Sequence, residues 1–136
     1  HRGRISNVVS SALHFGKSPS EKSTLVGEVS IPEYVNFQEY FHSITFEWKD
    51  NLLNFYLDDA AEPYWRIDSE SKFFKEFGFP FNSSFYLIIN VAVGGIYDQS
   101  RVDSKAFCMD KFCSNKSNPD HARFIVDWIE YSNIED

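Results

Sequence analysis

Three residues stand where their type and spacing could do chemistry. Asn90 interrupts the longest apolar run of the chain, residues 85–95, Phe-Tyr-Leu-Ile-Ile-Asn-Val-Ala-Val-Gly-Gly. Alternate residues of a strand share a face, so Ile88, Asn90 and Ala92 point one way and Ile89, Val91 and Val93 the other. An amide on a sheet face needs a partner. It is either a core Asn satisfied by neighbouring backbone, or a donor and acceptor on the floor of a binding cleft. His14 stands next to last in the segment Val-Val-Ser-Ser-Ala-Leu-His-Phe at 8–15 and shares a face with Ser10 and Ala12. Asp127 shares its face with Ile125, Ile129 and Tyr131, and a carboxylate in such company must be paired, protonated or bound to metal.

No complete catalytic constellation accompanies them. Glycosidase chemistry asks for two carboxylates on one face. Glu-x-Asp does not occur in the chain. Asp127 and Glu130 are three apart and face opposite sides of a regular strand. Asp58 and Asp59 are adjacent and read as a turn. There is no glycine-rich phosphate loop, no nucleophile elbow and no His pair at metal-ligand spacing.

The elements that must position these residues are short strands. Residues 8–15 form one, with Val9, Ser11, Leu13 and Phe15 on the face opposite His14. A Gly/Ser/Pro/Lys-rich loop follows, then a short strand over 25–31 closed by Pro32, and the segment 34–39 leads into another. Residues 41–48 alternate, with Ile44, Phe46 and Trp48 against Ser43, Thr45 and Glu47. A turn at 49–51 returns the chain through 52–58 as a hairpin. A further strand is expected at 64–67, one or two helical turns at 69–77, a buried strand at 85–95 and a last strand at 122–131. Residues 96–121 read as a long irregular loop. Trp48, Trp65 and Trp128 read as core. The pattern predicts an all-β antiparallel sandwich in one domain over 136 residues.

Composition narrows the partners. Aromatic residues make up 18% of the chain, which suits a β-rich fold. Thirteen basic against 20 acidic side chains leave a net charge of −7, with no basic cluster, which argues against nucleic acid. No stretch approaches membrane-spanning length. The opening residues do not read as a signal peptide, and the absence of Met at position 1 suggests a processed product or fragment. Cys108 and Cys113 are either a short-loop disulfide or two free buried thiols. Asn82-Ser-Ser and Asn115-Lys-Ser fit the N-glycosylation pattern, in keeping with a secreted or extracellular protein.

Four segments, in this order, carry a resemblance. They are Ser-Ala-Leu-His-Phe-Gly at 11–16; Phe-His-Ser-Ile-Thr-Phe-Glu-Trp at 41–48 with Phe-Tyr-Leu-Asp at 55–58; the run at 85–95; and Ile-Val-Asp-Trp-Ile-Glu-Tyr at 125–131. Together they resemble the C-terminal half of glycoside hydrolase family 16, in its laminarinase-like endo-β-1,3-glucanase branch. The resemblance implies a concanavalin-like β-jelly-roll, here partial and lacking its N-terminal strands, with a sugar cleft on the concave sheet. It also implies a retaining mechanism on a strand bearing Glu-x-Asp-x-x-Glu. That strand is expected immediately before residue 1, so no catalytic residue carries over, and the isolated chain is expected to be inactive and to fold poorly alone.

What the resemblance carries over is cleft and support. His14 matches a cleft-facing position; it is a sugar contact or an ordinary edge histidine. Asn90 matches a substrate-contacting Asn. Tyr97 stands near where relatives place a Trp, as a sugar platform or as loop packing. Asp127 matches a ligand of a structural Ca²⁺ on the convex side, the alternative being an Asp held by hydrogen bonds; no cofactor is implied for catalysis. The implied partner is a β-glucan, cleaved at β-1,3 or mixed β-1,3/1,4 links by a complete, monomeric protein. The alternative is a non-catalytic β-glucan-binding recognition protein.

Overall fold

The computed structural model describes residues 7–32, 37, 40–75, 78–91 and 124–133. It divides into two compact units, one holding the described residues up to Tyr86, the other those from Leu87 onward. The first unit is all-β. β1 (Val8–Gly16) pairs antiparallel with β2 (Lys22–Ser30) to make sheet A. β3 (Ile44–Lys49), β4 (Leu52–Leu57) and β5 (Trp65–Asp68) make sheet B, antiparallel in that order.

Each hairpin is set by its turn. Between β1 and β2 the chain makes a single 3-10 turn at Pro19–Glu21, capped by Ser18, whose Oγ accepts from the Glu21 amide at 3.2 Å. Gly16 has φ +143 and lies so close to the Glu21 carbonyl that a side chain would collide with it. Asn51, at φ 62, turns β3 into β4, a backbone region that Asn tolerates. Its side chain and amide are clamped by Asn82: Asn82 Nδ2 donates to Asn51 Oδ1 at 2.9 Å, and Asn51 N donates to Asn82 Oδ1 at 3.1 Å.

The two sheets pack apolar face to apolar face. Leu13 from β1, Leu53 and Phe55 from β4 and Ile67 from β5 are buried together with Phe74 and Phe81. The sheets approach closely because small residues of sheet A receive large ones of sheet B. Gly27 faces the Trp65 ring so tightly that a Cβ would collide with it. The paired residue Ser11 shares a 2.6 Å hydrogen bond with the Tyr64 hydroxyl. The end of the sandwich is filled by Phe15, Phe74, Phe79 and Phe81, with ring centroids 5.2 to 6.0 Å apart and mostly edge-to-face.

The expected all-β antiparallel architecture is therefore present, with strand bounds within a few residues of those expected. Three elements differ. Among the described residues of 69–77 there are turns rather than a helix. Asp68 Oδ1 accepts from the Glu70 amide at 3.1 Å, a local bond that competes with helical pairing. Ser71 N and Phe74 N then bond only three residues back, and Gly78 leaves the helical region at φ +80. Residues 85–91 are not a buried strand: they are unpaired and exposed, Ile88 at 80%. Residues 124–131 are likewise unpaired and exposed, so Trp128 is not core, and Trp48 lies at the margin of sheet B, 37% exposed. Strand-forming residues become a strand only when a ladder partner takes their backbone groups. The described residues supply none for these two segments. Most of the segment 34–39, expected to lead into the strand at 41–48, and the segments holding Ala92, Val93, Tyr97, Cys108, Cys113 and Asn115 lie outside the described residues.

Candidate functional site

The register of sheet A decides what its outward face presents. Direct partners share a face, so Ser10 sits with Glu28, Ala12 with Val26 and His14 with Thr24. The other face, with Leu13, Leu25 and Gly27, goes to the core. This outward face is open to solvent at Ala12, His14, Thr24, Val26 and Glu28, with Val26 56% exposed. The small Ala12 and the branched Val26 leave a shallow apolar floor between two polar ends. His14 Nδ1 lies 2.9 Å from Thr24 Oγ1. One ring nitrogen is thus occupied, and on this exposed residue Nε2 is left for another partner. Histidine, threonine and glutamate around an apolar floor are groups that exchange hydrogen bonds with hydroxyls.

Among the sequence-predicted site residues, His14 is placed on this face. Asn90 is exposed in the second unit, outside any strand. Asp127 is also exposed in the second unit. Among the described residues no group of three or more His, Cys, Asp or Glu could hold a metal ion. Calcium takes six to eight oxygens, so the described residues alone do not compose its site at Asp127. Tyr97 lies outside the described residues. Thr24, Val26 and Glu28 were missed in sequence reasoning. Thr24 fell in the loop expected over 16–24, and the register of the strand expected at 25–31 against β1 depends on the 3-10 turn at Pro19–Glu21.

Two other polar groups deserve comparison with this face. On the outward side of sheet B, Glu47 Oε2 accepts from Asn54 Nδ2 at 2.5 Å and from the Tyr56 hydroxyl at 3.0 Å, while Lys49 Nζ lies 3.0 Å from Oε1. The Asn54 amide first, then the Lys49 ammonium and the Tyr56 hydroxyl, hold the carboxyl below the usual carboxylate range. Burial, and the bond to Glu47, push the Tyr56 phenol up. A carboxylate saturated with donors is a poor proton source, so this cluster is structural. Buried Asn54 keeps its Oδ1 without a hydrogen-bond partner.

His42 and Asp58 form the second group. His42 Nδ1 lies 3.0 Å from Asp58 Oδ2, Ser43 N donates to Asp58 Oδ1 at 3.1 Å, and Asp58 N donates to Ser43 O at 2.8 Å. An imidazole oriented by a carboxylate is the arrangement of a general base. Here the other nitrogen, Nε2, is buried with no hydrogen-bond partner among the described residues, and Phe37 stacks on the ring with centroids 3.7 Å apart. Through Ser43 the pair closes the open end of the β3–β4 hairpin.

Against known proteins, no family model matches this chain and no solved structure matches it. Two curated proteins do. The chain is 30% identical over 100 residues to a glucan endo-1,3-beta-glucosidase of Cryptopygus antarcticus, a match covering 70% of this chain and 36% of that protein. It is 28% identical over 104 residues to glucan endo-1,3-beta-glucosidase A1 of Niallia circulans, covering 74% of this chain and 15% of that protein. The chain thus spans about a third of the first relative and a smaller share of the second, and over most of its own length it is similar to proteins named for cleaving β-1,3-glucan.

Proposed function

We propose that this chain is the C-terminal part of a single family 16, laminarinase-like domain, folded as a concanavalin-like jelly roll, and that the outward face of sheet A lines its β-glucan cleft. The complete protein is a secreted β-glucan hydrolase acting with retention on β-1,3 or mixed β-1,3/1,4 links. The observation that carries this reading is His14: it stands solvent-facing beside Thr24, on a sheet backed by the core, in a chain similar to two glucan endo-1,3-beta-glucosidases. Asn90 and Tyr97 are further sugar contacts in this reading, and Asp127 is one ligand of a structural calcium.

The alternative is a non-catalytic β-glucan-binding protein, which differs from the hydrolase only in lacking the two carboxyl groups about 5 Å apart that retention needs. Both readings require the face to bind glucan and this chain alone to leave it uncut.

The test is calorimetric titration of the chain with laminarin, with an α-glucan as control, alongside an assay for new reducing ends. Binding to laminarin alone is expected, weakened about 3- to 10-fold by His14→Ala, the worth of one net hydrogen bond. No reducing ends are expected. Laminarin binding that ignores His14→Ala, or no binding by chain that circular dichroism shows to be folded, sinks the cleft; reducing ends from the pure chain sink the placement of the catalytic carboxylates.

A further inference from the structure

We infer that Thr24 is a positioning residue: its hydroxyl donates to His14 Nδ1, keeps the ring proton on Nε2, and so presents an N–H donor to a glucan hydroxyl oxygen. The inference rests on the glucan reading of this face for its ligand, but not for its geometry. Thr24 is directly paired with His14 across the β1–β2 ladder, and the two side-chain atoms lie 2.9 Å apart. On the same face the pair on one side, Ala12 and Val26, carries no polar side-chain atom, and the pair on the other is Gly16 and Lys22. Thr24 is the side chain directly opposite His14, and its hydroxyl is the group at hydrogen-bond distance from the ring.

The direction of the bond follows from what each partner can do. A hydroxyl both donates and accepts, whereas a neutral imidazole donates from one nitrogen and accepts at the other. In water the neutral ring already prefers its proton on Nε2. A donor at Nδ1 reinforces that preference, whereas an acceptor there would have to reverse it. With Thr24 donating, the bond also restrains ring rotation, so Nε2–H is aimed away from the strand before any ligand arrives. Without Thr24 the ring keeps its chemistry and loses its direction.

The test reads the ring directly. Nitrogen NMR of the full chain, at about pH 8.5 where an ordinary histidine is neutral, is expected to show His14 Nε2 protonated and Nδ1 as a hydrogen-bonded acceptor. Thr24→Val keeps the branched shape that suits an exposed strand position and removes the hydroxyl. It is expected to shift the Nδ1 signal toward that of a free imidazole and to weaken laminarin binding about 3- to 10-fold. Thr24→Ser is expected to restore both. A proton found on Nδ1, or a His14 spectrum unchanged by Thr24→Val, overturns the inference. A ring that follows Thr24 as described in a chain that does not bind laminarin upholds the positioning and overturns the glucan reading alone.

Discussion

Glu47 shows what a carboxylate on this scaffold does when it is not catalytic. Three donors converge on it, and with its carboxyl held below the ordinary range it stays ionised. A depressed folded-state value means that the folded state binds its proton less readily than the unfolded chain does. Its contribution is therefore fully present above the unfolded value, about pH 4.3, and is lost as pH falls through the lowered folded one. Urea midpoints followed by tryptophan fluorescence should fall on acidification, and Glu47→Gln, whose carbonyl oxygen still accepts but carries no charge, should flatten that acid limb while lowering stability near neutrality by about 0.5–1.5 kcal/mol. An acid limb as steep in the variant as in the parent would show that the donors do not act through this carboxylate. The same residue shows how far the sequence could be read. Alternation placed Glu47 opposite Phe46 and Trp48, which is correct. That its neighbours across the ladder were Asn54 and Tyr56 depended on the turn at Asn51.

At the scale of elements, the sandwich is keyed by one small residue. Gly27 admits the Trp65 ring, which is itself stacked on Phe55 at 4.8 Å and so has little room to retreat. Gly27→Ala is expected to cost roughly 1–3 kcal/mol through overpacking, by chemical denaturation. Combining it with Trp65→Leu should cost less than the sum of the two single changes, because the smaller side chain vacates the space. Strict additivity would mean that the sheets do not meet there. Gly78→Ala is a useful contrast: nothing lies within 4 Å of its Cβ, so only its φ of +80 resists, at roughly 1 kcal/mol. Strands β1 to β5 could be read from the chain because their partners are near in sequence and their turns carry recognisable residues. The β1 half of the His14 face, with Ser10 and Ala12, was legible from alternation; its β2 half was not, because it depends on register. Residues 85–91 and 124–131 have equal or stronger strand character, yet strandedness is a relation between two segments. No local pattern says whether the partner is there.

For the whole molecule those two segments carry the consequence. Leu87, Ile88 and Val91 in one, and Phe124, Trp128, Ile129 and Tyr131 in the other, are exposed apolar side chains in unpaired backbone. Contiguous apolar exposure of this kind draws association. In the complete domain proposed above, further strands would cover them. Alone, the chain has two opposing forces on it. Apolar burial favours self-association, while the net charge of −7 on each copy opposes it. Salt separates the two, because raising it from low values to about 0.1 M shortens the screening length to about 10 Å and removes the repulsion while leaving the apolar attraction. Sedimentation velocity on the isolated chain should therefore show mass growing with salt as well as with concentration, and an apolar dye should fluoresce with it at low salt, before association covers the surface. Association driven instead by ion pairs would weaken with salt. A chain that stays monomeric at every salt and leaves the dye dark would mean that these segments are covered in solution, and that the chain needs no further strands to bury them.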